Sequence, residues 1–191
     1  MDKVAMYKEQ IYKIANILSK KDVVVTHPGK NITFITGFSG SGKTTLGEKM
    51  EKESPGNVLV ELDGFEHNYD STNNDVVNNY IKQHGTYKRE PHVNGSFEKK
   101  WTNILQYIKD TAGKNPDKHY IVEGMQIMRV PKEIDGYPAI VKGTGLLKSS
   151  FRRSKRKTEP GYEENFLKSL SYNKDLDGYV NRLRKRLTEK V

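Results

Sequence analysis

Apolar positions recur along the chain in two rhythms that alternate short strands with helices. Val4, Tyr7, Ile11, Ile14 and Leu18 stand one turn apart among lysines, which predicts an amphipathic helix within residues 1–21 packed on its own domain. Asp22 to Thr26 (DVVVT) reads as a short strand and His27 to Lys30 as the turn behind it. Ile32, Phe34 and Ile35 mark the next strand, and Leu46 and Met50, four apart, mark a helix from Thr44 to Lys52 that Pro55-Gly56 stops. Asn57 to Leu62 (NVLVEL) is a nearly continuous apolar run, the pattern of a buried parallel strand. Residues 65–96 turn polar, with only a short helical stretch around Val76 to Lys82, and read as a substrate-facing insertion. Phe97, Trp101, Ile104, Leu105 and Ile108 then form a helical stripe, which assigns Trp101 to the core. His119 to Gly124 (HYIVEG) and Pro138 to Thr144 (PAIVKGT) read as two further strands. Gly145-Leu146-Leu147 opens a helix, and after Pro160-Gly161 helical spacing returns through Phe166, Leu167, Leu170, Leu176, Tyr179, Val180, Leu183 and Leu187. Strands alternating with helices predict a three-layer α/β fold with a mostly parallel sheet.

One stretch carries chemistry as well as pattern. Between the Ile32–Ile35 run and its following helix stands Gly37-Phe38-Ser39-Gly40-Ser41-Gly42-Lys43-Thr44, which fits G-x-x-x-x-G-K-[ST] at every position. The glycines let the backbone bend so that successive N–H groups converge on a phosphate, and the helix end adds its positive field. Ser39, Ser41 and Thr45 belong to the same cradle. Lys43 reaches the β- and γ-phosphates as a mobile charge, and the Thr44 hydroxyl takes a place on Mg²⁺. A nucleoside triphosphate, with ATP as the expected donor, and Mg²⁺ are thus the expected cofactors.

In open α/β sheets ligands sit beyond the carboxyl ends of the strands. Asp63 follows one apolar strand and Glu123 ends another, so both are aimed at the crevice of the glycine-rich loop. Either carboxylate can hold the water shell of Mg²⁺ or orient a reacting hydroxyl, and the sequence leaves that division open. Arg152 or Arg153 and Arg156, one turn apart in a basic helix, can face one way and clamp phosphate oxygens, which predicts a small lid over residues 146–160. His67, His84 and His92 lack the short paired spacing of a zinc site.

The length of 191 residues suits a single domain spanning the chain, and 33 basic against 24 acidic residues give a net charge of +9, which favours polyanionic ligands: nucleotides first, nucleic acid second. Without cysteine, disulfides, thiol catalysis and cysteine-ligated zinc are excluded. No stretch approaches the ~20 apolar residues of a membrane span, and the N-terminus lacks an apolar signal core, so a cytoplasmic, ATP-rich location and no membrane partner are expected.

The set TGFSGSGKTTL, LDG after a strand, IVEG after another, and an arginine-rich helix resembles P-loop kinases of the nucleoside-monophosphate-kinase type, such as uridine, adenylylsulfate and polynucleotide kinases. The similarity covers residues 32–157. It implies that Lys43 and Thr44 are the phosphate and magnesium residues, Asp63 the base or magnesium-shell carboxylate, Glu123 the acid of the third motif, and Arg152, Arg153 and Arg156 the lid arginines. Phe65 and Glu66 stand where adenylylsulfate kinases carry a second aspartate, which points away from that substrate. The expected activity is ATP-dependent phosphorylation of a hydroxyl on a nucleoside or metabolite. The alternatives are a kinase acting on a 5′ end or hydroxymethylated base of DNA, and a regulatory ATPase or nucleotide-binding module.

Overall fold

The computed structural model describes residues 20–66, 74–85, 96–154 and 166–189. The expected helix at 4–18, the polar stretches 67–73 and 86–95 with His67 and His92, and positions 155–165 with Arg156 lie outside the described residues. Among the described residues there are five strands, β1 (Val23–Val25), β2 (Ile32–Thr36), β3 (Asn57–Glu61), β4 (His119–Glu123) and β5 (Ala139–Val141). The helices are α1 (Lys43–Lys52), the single turn α2 (Asp63–Glu66), α3 (Asp75–His84), α4 (Ser96–Lys114), α5 (Leu146–Ser154) and α6 (Phe166–Thr188), with 3₁₀ turns at Met125–Arg129 and Pro131–Ile134. The chain is thus an α/β protein whose mostly parallel sheet runs β1-β5-β2-β4-β3.

Register places the strand ends. β4 pairs in parallel with β2, Ile35 opposite Glu123, and with β3, Glu61 opposite Glu123. Ile35, Glu123 and Glu61 therefore share one row at the carboxyl ends of three parallel strands, and the glycine turn, Asp63 and Glu123 each follow or end one of them.

β2 and β3 differ in what covers them. All five residues of β2 are buried, as its apolar run and interior position require, whereas β3 is the edge strand and only Val60 within it is fully buried. The expectation of a buried strand at 57–62 is corrected accordingly: the run is parallel, but among the described residues its outer side has no neighbouring strand. Side chains close that side. Leu59 N–H donates to Glu51 Oε1 at 3.1 Å, and Asn74 Nδ2 donates to Leu59 O. Gly47 lets α1 lie close to β3, since a Cβ there would stand 2.7 Å from Leu59 Cδ1. The 138–144 strand is likewise shorter than its apolar run, spanning Ala139–Val141.

The chain divides into two compact units. One comprises Val24–Thr36 and Lys43–Ile140, and its core takes Phe34 and Ile35 from β2, Ile121 and Val122 from β4, and the stripe of α4, where Trp101, Ile104, Leu105 and Ile108 are all at most 1 % exposed. The other comprises Gly37–Gly42 with the described parts of Met1–Val23 and Val141–Val191. In it α6 buries Leu176, Val180, Leu183 and Leu187 at helical spacing, and α5 packs on α6. Leu167, expected on that stripe, is 71 % exposed. It precedes Leu176 by nine residues, two and a half turns, so it projects from the opposite side of the helix.

Candidate phosphate-binding and catalytic site

The glycine turn leaves β2 and enters α1. Gly37, Gly40 and Gly42 have φ of 144°, 87° and 92°. Gly40 is required twice over: its dihedral suits glycine, and a Cβ would collide with the carbonyl oxygen of Ser149 in α5. The next anchor is Ser39. Its N–H donates to Asn173 Oδ1 at 3.2 Å, its carbonyl accepts from Asn173 Nδ2 at 3.1 Å, and its hydroxyl accepts from Arg153 Nη1 at 2.7 Å. Asn173 thus pairs with Ser39 as a second peptide unit would, from a fully buried position on α6, and its Nδ2 also donates to Ser150 Oγ at 3.1 Å. The Arg153 guanidinium lies over the Tyr172 ring at 4.2 Å, and an Arg152 guanidinium nitrogen lies 4.0 Å from where a Gly42 Cβ would be. Ser41, 1 % exposed, has its carbonyl bonded by Thr144 Oγ1 at 3.1 Å, while its own buried hydroxyl has no hydrogen-bond partner among the described residues.

The unit that holds the sheet carries its own cluster of expected residues. Lys43 and Thr44 open α1, with exposed Thr45 behind them. Thr44 Oγ1 donates to Glu123 Oε1 at 3.0 Å. Glu123 is 4 % exposed, and burial pushes its carboxyl above the usual range. The Lys43 charge and the Thr44 bond pull it back, and Asp63 and Glu61 push it up again. Asp63, the first residue of α2, accepts a 2.7 Å bond from Gln126 Nε2 on Oδ1. Gln126 is itself buried, and the missing Cβ at Gly124 gives it room, since an atom there would lie 2.5 Å from Gln126 Oε1. Glu61 is raised as well, first by burial and then by Asp63, Glu48 and Glu51.

These groups suit a hard divalent cation. They offer a hydroxyl and carboxylate oxygens, and no group of three or more His, Cys, Asp or Glu side chains among the described residues forms a metal cage. Mg²⁺ needs no such cage, because it binds through one or two carboxylates and takes its remaining oxygens from phosphate and water. Of the residues expected from the sequence, Lys43, Thr44, Asp63 and Glu123 come together in one unit, and Ser39, Gly42, Arg152 and Arg153 in the other. Asn173 and Gln126 were not expected. Asn173 left a trace in the sequence: it falls on the stripe of Leu176, Val180, Leu183 and Leu187, where the period calls for an apolar residue. Gln126 left none.

No protein-family model matches the chain, and no curated protein matches it significantly.

Proposed function

We propose that the protein is an ATP-dependent kinase of P-loop type that transfers the γ-phosphoryl group to a hydroxyl of a small acceptor. The observation that carries this reading is the hydrogen bond from Thr44, the last residue of the G-x-x-x-x-G-K-[ST] motif, to the buried Glu123 at the end of the neighbouring parallel strand. It couples the motif to an acid that ordinary packing would not bury.

On this reading the N–H groups from Gly40 to Thr45 cradle the triphosphate and Lys43 neutralises the β- and γ-oxygens. The partnerless Ser41 hydroxyl is a further donor in the same turn. Thr44, with Glu123 or Asp63 beyond it, would hold Mg²⁺, which when bound supplies charge neutralisation across the phosphates. The Gln126 bond fixes one oxygen of Asp63 and leaves the other to orient the acceptor hydroxyl and receive its proton. Arg152 and Arg153 bring guanidinium groups from α5, the candidate lid of the three-layer fold, to the glycine turn, where they would meet phosphate oxygens bound by that turn. Phosphoryl transfer asks chiefly for positioning and charge compensation, and these residues supply both.

The test is transfer from labelled ATP across a panel of small alcohols, with Lys43→Ala beside the wild type. The variant should keep its fold and lose turnover. A soluble Lys43→Ala protein retaining more than about a tenth of wild-type kcat, a loss below ~1.4 kcal/mol, would remove the loop from catalysis.

A further inference from the structure

The unit that holds the sheet contains a cavity of about 610 Å³ along the open side of β3, walled by α1, α3 and α4, and within the size range of small-molecule sites. Its lining has a chemical bias. Asn57 and Asn115 each use one amide N–H on the backbone carbonyls of Met50 and Thr111, at 2.6 and 2.7 Å, which leaves each a whole amide oxygen and one further N–H. Both ends of the Asn74 amide are committed, to Leu59 O and to Val76 N–H. The charge balance of the lining is acidic: the carboxylates of Glu61, Asp75 and Glu51 stand against Lys118, the one lysine or arginine among the described lining residues, and the amide oxygens of Asn57 and Asn115 add neutral acceptors beside the Asn79 amide. The rings of Tyr107 and Tyr120 complete the wall. In a chain of net charge +9, the described lining of this cavity is thus acidic.

Three carboxylates against one ammonium favour a guest that donates, and carboxylates beside aromatic faces select a positive one. The same wall would repel a phosphate or a nucleic-acid backbone. We infer that this cavity binds a small hydroxylated organic amine, its ammonium group at the carboxylates and its hydroxyls at the amide oxygens. The cavity reaches Glu61, the last residue of β3, and the chain arrives at Asp63 two residues later. Resting on the kinase reading above, this names the acceptor class as an amino alcohol or amino sugar. A ligand anchored at Glu61 would offer a hydroxyl toward the carboxylate assigned to receive its proton.

Glucosamine and N-acetylglucosamine make a matched probe pair, with the same ring and one charge between them. Titrated without nucleotide into the full chain and followed by isothermal calorimetry, glucosamine should bind at least tenfold more tightly than its N-acetyl form. Glu61→Gln should remove roughly tenfold of that preference, about the weight of one charge-assisted contact. Asp75→Asn, at an exposed helix start where folding is not at risk, should reduce it by a smaller factor. Equal binding of the two sugars, no binding of either, or a preference untouched by both variants overturns the inference. These titrations need neither ATP nor turnover, so a failed Lys43→Ala test would strike the kinase reading and leave the cavity result standing.

Discussion

At the glycine turn every polar atom of Ser39 already has a protein partner, whereas at the carboxylate end Glu123 is buried and its carboxyl is pushed above its ordinary range. The first region spends hydrogen bonds to fix backbone shape. The second holds an acid whose charged form is opposed by burial and by two neighbouring carboxylates, and is supported among the described residues by Lys43 and Thr44. Geometry can be set before a ligand arrives, at modest cost, when all its polar groups are paired. Charge aimed at a cation or at a moving proton cannot be compensated in advance without being cancelled. The carboxylate end is therefore where folding and function should conflict.

The largest effects should come from breaking that end. Asp63→Asn and Glu123→Gln should each lower kcat, the one assigned to the acceptor proton by about 10²–10⁴-fold, with ATP binding retained for Asp63→Asn. If Asp63→Asn is nearly silent and Glu123→Gln severe, the base is Glu123. Stability should move the other way. A carboxyl whose value in the folded chain is raised favours the fold at acid pH, and that contribution is lost as pH rises through the folded value. Glu123 and Glu61 both act in this sense from the ordinary glutamate value of 4.5 upward. Glu123→Gln should flatten the decline and raise Tm at neutral pH, by about 2–4 °C for each kcal/mol relieved. Thermal melts at pH 5 and pH 7.5 decide it, and an equal Tm change at both would remove Glu123 from the pH dependence.

The turn should respond in stability and shape. Asn173→Ala strips partners from the N–H and carbonyl of Ser39 and should cost ~1–3 kcal/mol by denaturant titration. Asn173→Asp keeps the acceptor for the Ser39 N–H and loses the donated bonds, so it should fall between alanine and wild type. Equal loss in both would mean that the donated bonds carry the effect. The smallest effect should be that of Arg153→Ala: on the kinase reading a drop of roughly tenfold in kcat with ATP affinity nearly unchanged, because the contact strengthens in the transition state. If α5 is instead a nucleic-acid handle, the same variant leaves turnover intact and makes the salt dependence of DNA retention shallower.

Much of this was legible in the sequence because it is local. The motif from Gly37 to Thr44, the strands ending at Glu123 and before Asp63, and the stripe that buries Trp101 are short patterns whose meaning does not depend on distant residues. The misses are non-local. Asn173 reaches Ser39 across 134 residues and Gln126 reaches Asp63 across 63, and no periodicity encodes such pairings. The apolar run of β3 is the same whether the strand lies inside the sheet or at its rim, so its half-burial followed from topology alone. The amides that line the β3 cavity read as any polar positions until the structure brought them together along one strand edge.

The side-chain closure of β3 also bears on how the protein behaves at high concentration. A rim strand with unpaired N–H and C=O groups is a template on which another chain can add a strand, the first step toward aggregation. At Leu59 both groups are already taken, one by a carboxylate and one by an amide. An incoming strand would have to break both bonds and desolvate Glu51 to pair at Leu59, so the middle of this rim resists growth.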